Sequence, residues 1–80
     1  MMYEVPLPDL GDDFLEQATV TLWHVKQGDI VHEGDDLVEM TTDKATFTVP
    51  SPKTGKLVEL LVEEDQEVKV DQVLCILEVI

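Results

Sequence analysis

Apolar residues in this chain come in short bursts. They fill residues 20–25, 37–40, 47–49, 57–62 and 73–80, and the stretches between and around them carry Gly11, Gly28, Gly34, Pro50, Pro52 and Gly55. No segment sustains the i, i+3, i+4 spacing that buries one stripe of a helix, whereas alternation at period two recurs. Short alternating runs punctuated by turn residues predict an all-β sandwich or barrel. Valine, isoleucine and threonine together number twenty-two and alanine only two. That balance favours strands, because β-branched side chains are stiff in helices and pack well on a pleated sheet. The acidic, glycine-containing stretch at residues 9–13 reads as a surface loop after the first strand.

An internal repeat sharpens this reading. Sliding the chain by 37 residues lays Val25 on Val62, Val31 on Val68 and Leu37 on Leu74, and it sets Trp23 on Leu60, Val38 on Cys75 and Met40 on Leu77. Apolar character is kept where identity is lost. Two similar β units in so small a domain are expected to pack face to face about an approximate two-fold, each covering the apolar side of the other.

The segment 38–49 carries the most informative local pattern. Folded about the bond between Asp43 and Lys44, it pairs Met40 with Phe47 and Val38 with Val49 on one face, and Thr41 with Thr46 and Glu39 with Thr48 on the other. This is the apolar-in, polar-out alternation of a half-buried antiparallel hairpin, and a one-residue slip would destroy it. Asp43 and Lys44 take the two central turn positions, with Thr42 and Ala45 closing the turn; in the absence of Gly or Asn, a type I turn is the easier assignment. A solvated ammonium at such a tip has no desolvation to lower its pKa, so Lys44 is a poor nucleophile by itself. It is well placed as a handle for a group joined through an amide. The plainer reading is a solubilising lysine on an ordinary hairpin.

Composition narrows the function classes. Eighty residues allow one domain, taken as residues 1–80, and leave little interior for a catalytic cleft walled on all sides. Eighteen acidic residues against five lysines give a formal charge of −13, which repels phosphate backbones and anionic lipid, so neither nucleic acid nor a membrane surface is an expected partner. The 44% hydrophobic content argues for a folded chain despite this charge. Cys75 stands alone, so an internal disulfide is excluded, and with His24 and His32 it makes no set at structural-zinc spacing. Within its apolar run, Cys75 is expected to be a buried, inert thiol. No catalytic and no metal-ligating residue is assigned. His24 and His32 are given surface or packing roles, and Trp23 a place in the core. The start of the chain shows no export signal, which makes the cytoplasm the expected compartment, or the mitochondrial matrix after removal of a targeting peptide.

Read with its flanks, the hairpin gains a meaning. The stretch TTDKATFTVPSPKTGKL, preceded by VKQGDIVHEGDDL, resembles the lipoyl domains of 2-oxo acid dehydrogenase acyltransferases over nearly the whole chain. The shared features are Asp43, Lys44 and Ala45 at the tip, the V-P-S-P stretch at residues 49–52 and Gly55, together with an opening VPLPDLG that ends at Gly11 and is similar to the family's first strand and loop. The resemblance implies a flattened β-barrel of two four-stranded antiparallel sheets related by a pseudo-two-fold. It implies lipoic acid linked as an amide to the side-chain nitrogen of Lys44, with no catalysis by the domain itself. Implied partners are a lipoate ligase or lipoyl transferase, a thiamine-diphosphate 2-oxo acid decarboxylase, the acyltransferase catalytic core that serves coenzyme A, and a flavin dihydrolipoamide dehydrogenase. The isolated domain is expected to be a monomer.

By the same resemblance, Asp43 and Ala45, with Thr41 and Thr42, form the recognition surface of the turn. The loop at residues 10–16, led by Leu10, Gly11, Asp12 and Asp13, is implied to lie beside it and to help the decarboxylase choose its carrier. Two departures matter. Many members have glutamate where Thr41 stands, which bears on the modifying enzyme that accepts the domain. Asp65 and Asp71 stand where the family often has glycine, so the turns there are expected to differ in conformation or stability. The nearest rival is a biotin carrier, which usually flanks its lysine with methionines rather than Asp43 and Ala45. An unmodified acidic binding module is the other alternative.

Overall fold

The computed structural model describes residues 1–8, 17–42 and 45–80. Within them the chain forms eight strands: β1 (Met2–Pro6), β2 (Gln17–Trp23), β3 (Ile30–Val31), β4 (Asp36–Thr41), β5 (Thr46–Pro50), β6 (Gly55–Leu60), β7 (Glu67–Lys69) and β8 (Val73–Val79). They build two four-stranded sheets, ordered β1-β8-β6-β3 and β5-β4-β2-β7, in which every pairing is antiparallel. The all-strand, two-sheet architecture expected from the sequence is therefore observed. The predicted runs at 37–40, 47–49 and 73–80 fall on β4, β5 and β8. The short strands β3 and β7 have no run of their own, because two or three residues are too few to show a period.

The repeat is built into the hydrogen bonds. An offset of 37 carries β2, β3 and β4 onto β6, β7 and β8 and turns one sheet order into the other. Lys26 N–H donates to the Asp29 carboxylate (2.8 Å) and His32 N–H to the Asp35 carboxylate (2.9 Å). Their counterparts Glu63 N–H and Lys69 N–H donate to the amide oxygens of Gln66 (3.0 Å) and Gln72 (3.1 Å). Even the irregularities recur, since the ladders slip between Val20 and Leu22 and again between Leu57 and Glu59. The first strands follow a different offset: VPLP at residues 5–8 lies 44 residues before VPSP at 49–52. Leu7 pairs with Gln72 and Asp71 as Ser51 pairs with Asp35 and Gly34. The change of offset from 44 to 37 explains why a single slide of the sequence misses β1 and β5.

Equivalent turns hold equivalent backbone conformations with different residues. Gly28 and Gly34 have φ of 97° and 94°, and Asp65 and Asp71, their counterparts, have φ of 70° and 71°. The expected difference in conformation is thus corrected. Gly28 N–H donates to Leu57 C=O and Asp65 N–H to Val20 C=O, so the flanking bonds hold each turn in the left-handed region whichever residue occupies it. What remains of the expectation is a difference in stability, since an L side chain is strained there.

Between the sheets lies one apolar cluster that includes Leu7, Val20, Val31, Leu37, Val38, Met40, Leu57, Val68, Leu74 and Leu77. Leu37, Val38 and Met40 of β4 and Leu74, Cys75 and Leu77 of β8, one central strand from each sheet, supply much of this core. Cys75 belongs to this core and is fully buried, as expected, and burial pushes its thiol up from 9.0 to about 12. Trp23 packs half-buried against the cluster and donates its indole N–H to Val62 C=O (3.0 Å), so its polar end is satisfied. Gly55 is buried where β6 runs against β8, and a Cβ there would collide with the backbone oxygen of Glu78. His24 is exposed, and His32 stands in a surface turn with Nδ1 3.6 Å from the Asp35 carboxylate.

Candidate functional site

Among the described residues, β4 and β5 are the only strands adjacent in sequence that also pair with each other. Their register is Val38 with Val49, Glu39 with Thr48, Met40 with Phe47 and Thr41 with Thr46, as the hairpin pattern predicted. Val38, Met40 and Val49 are buried and Phe47 packs half-buried on the core, so one face of the hairpin is fixed to the interior.

The end of this hairpin is fastened by Thr42. Its backbone N–H donates to Ala45 C=O (2.8 Å), and its hydroxyl both donates to Ala45 C=O (3.1 Å) and accepts from Ala45 N–H (3.1 Å). Only two residues of sequence, Asp43 and Lys44, join the clasped pair; both lie outside the described residues, and so does the type of turn they form. One strand-width inward, the Thr41 hydroxyl hydrogen-bonds the Thr21 hydroxyl of β2, tying the hairpin to its neighbour. Thr41 and Thr42 are half-buried and Ala45 is exposed. The structure brings together the three described members of the proposed recognition set. Thr21 was missed in the sequence, because it meets Thr41 through the ladder slip after Val20, and no local spacing links residues twenty apart.

Leu10, Gly11, Asp12 and Asp13 lie outside the described residues. The chain resumes at Gln17, and because Thr19 pairs with Thr41, Gln17 sits at the end of β2 that borders the clasped turn. The described lysines occupy different settings. Lys56 stands opposite Glu78 in a ladder, Lys69 opposite Gln17, Lys53 has its ammonium 5.8 Å from the Tyr3 ring centre, and Lys26 lies in a surface turn.

The two-fold gives this turn a counterpart. By the two offsets, Thr42 and Ala45 correspond to Val79 and Met1, and the bond from Thr42 N–H to Ala45 C=O is matched by one from Val79 N–H to Met1 C=O (2.7 Å). The two lie at opposite ends of the barrel. Lys69, beside Gln17 at the turn end, leads directly into the start of β8, and β8 then runs away from that end.

Comparison with known proteins agrees with this geometry. The family model described as "Biotin-requiring enzyme", a biotin–lipoyl domain, matches residues 3–77. The dihydrolipoyllysine-residue succinyltransferase component of the 2-oxoglutarate dehydrogenase complex of Bartonella vinsonii subsp. berkhoffii is 43% identical over 92% of this chain and 18% of its own length. The acetyltransferase component of the pyruvate dehydrogenase complex of Bacillus subtilis is 42% identical over 90% of this chain and 16% of its own. The chain thus spans less than a fifth of these relatives. Among solved structures, the lipoyl domain of the 2-oxoglutarate dehydrogenase complex from Azotobacter vinelandii aligns with a TM-score of 0.74 and 25% identity, covering 94% of each chain. A single-chain long-chain acyl-CoA carboxylase shares the fold alone, with a TM-score of 0.79 at 19% identity over 99% of this chain and 7% of that one. With a family model that spans nearly all of it and a whole-domain structural match, the chain belongs to the biotin–lipoyl family, as a domain of the lipoyl type.

Proposed function

We propose that this domain carries lipoate on Lys44 and ferries acyl groups between the active sites of a 2-oxo acid dehydrogenase complex. The observation that supports this most directly is the clasp: a hairpin anchored in the core is closed by Thr42 and Ala45, and the two residues of sequence between them are Asp43 and Lys44. The fit to a prosthetic arm is good, because the described flanks of the turn are small or hydroxylated and are at least partly exposed, so nothing among them walls in an attached chain. When attached, lipoate supplies a reducible disulfide on a long tether. Amide formation at Lys44 would replace its ammonium and take the formal charge from −13 to one unit more negative.

The domain's own residues perform no bond chemistry in this reading. They fasten the two described flanks of the turn, Thr42 and Ala45, to each other and to the sheet, and tethering raises the arm's effective concentration at each partner. The partners proposed are a lipoate ligase or lipoyl transferase, a thiamine-diphosphate 2-oxo acid decarboxylase, the acyltransferase core and a flavin dihydrolipoamide dehydrogenase. Asp43, Ala45, Thr41 and Thr42, with the segment from Leu10 through Asp13, are proposed as the surface these enzymes read. A biotin carrier is the less supported alternative, since Asp43 and Ala45 flank the lysine where methionines are usual.

Intact mass measured after incubation with lipoate ligase and, separately, with biotin ligase tests this directly. A single lipoyl increment that maps to Lys44 and vanishes in Lys44→Gln is expected. A biotinyl increment in its place, or lipoate on Lys26, Lys53, Lys56 or Lys69, would overturn the assignment.

A further inference from the structure

The two-fold duplicates the backbone but not the outer surfaces of the two sheets. On β5-β4-β2, one cross-strand row reads Thr48, Glu39, Leu22. The equivalent row on β1-β8-β6 reads Glu4, Ile76, Glu59, since Glu4 pairs with Ile76 and Ile76 with Glu59. Adjacent strands lie about 4.8 Å apart, so the two carboxylates flank the central isoleucine with about 10 Å between their backbones. Glu4 and Glu59 are exposed and Ile76 is half-exposed. Met2, Pro6 and Val58 line the same open groove, and Met2 is 59% exposed. No ion pair among the described residues involves either carboxylate, and the nearby Lys56 stands opposite Glu78 in the adjoining row.

From this row we infer a second interaction surface, on the outer face of β1-β8-β6, that docks a polypeptide segment bearing one apolar side chain between two lysines or arginines. The argument is complementarity. An apolar strip flanked by two unpaired carboxylates, on a chain of net charge −13, attracts a basic partner over distance and repels acidic ones. The apolar centre then supplies desolvated contact that charge alone does not give. The surface is on the opposite sheet from the β4–β5 turn, so it can be occupied whether or not Lys44 is modified. The inference therefore stands apart from the carrier reading.

Titration of the isotopically labelled, unmodified 80-residue chain with the peptide Lys-Ser-Leu-Ser-Lys, capped at both ends, tests it by amide chemical shifts. The probes Lys-Ser-Ser-Ser-Lys and Glu-Ser-Leu-Ser-Glu serve as comparisons. Shifts at Glu4, Val58, Glu59 and Ile76 are expected, with at least tenfold weaker binding of both comparison peptides. The doubly substituted Glu4→Lys, Glu59→Lys chain should lose at least tenfold in affinity. Glu63→Lys, Glu64→Lys, an equal charge change in an exposed turn, should lose less than threefold, and Lys44→Gln should bind as the parent does. Dispersed amide spectra of each variant confirm folding. No binding, equal weakening by both charge reversals, or shifts centred on Thr19, Thr41 and Thr46 would overturn the proposal. So would shifts on this face that grow with the concentration of the chain alone, which would make a second copy the occupant.

Discussion

Thr42 does at the turn what a backbone carbonyl does in most hairpins. Its hydroxyl accepts from the Ala45 N–H and donates to the Ala45 oxygen, so beside the backbone bond from Thr42 N–H to Ala45 C=O part of the closure rests on a side chain that a single substitution removes. A neutral hydrogen bond of this kind contributes about 1 kcal/mol, because water competes for both partners when the turn opens. Thr42→Val keeps the β-branched shape and deletes the hydroxyl. We expect it to lower the unfolding midpoint by roughly 4–8 °C, the usual equivalent of about 1 kcal/mol in a domain of this size. Lipoylation by the ligase should slow at least threefold while the circular dichroism spectrum is unchanged. Thr41→Val, which removes the bond to Thr21, should have a smaller effect on modification, because that bond lies one residue farther from the tip.

The elements show where backbone strain resides. Asp65 and Asp71 hold the positive φ that their glycine counterparts hold, and each donates its N–H, Asp65 to Val20 and Asp71 to Leu7, while the next residue's carbonyl accepts from the same partner. Left-handed geometry costs an L-residue about 1–2 kcal/mol, and glycine gives back roughly half of that through the greater freedom of its unfolded chain. Asp65→Gly and Asp71→Gly are each expected to stabilise the domain by about 0.5 kcal/mol, read as a higher urea midpoint at constant slope. A lower midpoint in both would show that the turns are relaxed as they stand. These positions also mark what the sequence could and could not tell. The four pairs of the hairpin between residues 38 and 49 were legible, because one face is buried and period-two alternation permits a single pairing, whereas the ladder slip between Asp36 and Val38 was not. The pseudo-two-fold was legible from Val25, Val31 and Leu37 against their partners. The conformation of Asp65 and Asp71 was not, since it is imposed by strands remote in sequence, and the Thr21–Thr41 contact depends on a ladder slip that leaves no signature in composition.

At the scale of the whole molecule, Cys75 is the one titratable side chain among the described residues buried in the core, and its behaviour follows from burial. Cys75 is fully buried, and loss of solvation pushes its thiol from 9.0 to about 12. Below pH 9 the thiol is protonated both folded and unfolded and contributes no pH dependence. Between pH 9 and 12 the unfolded chain releases its proton while the folded chain retains it, so stability falls as pH rises. The slope approaches about 1.4 kcal/mol per pH unit, the value for one proton. Urea unfolding at pH 8 and pH 10.5, compared between the native chain and Cys75→Val, isolates this effect: the substituted chain should lose less stability over that interval. The same burial is expected to leave the thiol unreactive toward a disulfide reagent at pH 8 until denaturant is added.

The bond between Val79 and Met1 occupies, on the far end of the barrel, the place that the clasp of Thr42 and Ala45 occupies on the near end. Along a body whose longest extent is 35 Å, attachment to a bead, a dye or another polypeptide at either terminus leaves the opposite pole unobstructed. The domain can therefore be fixed to a surface from behind and still be read from the front.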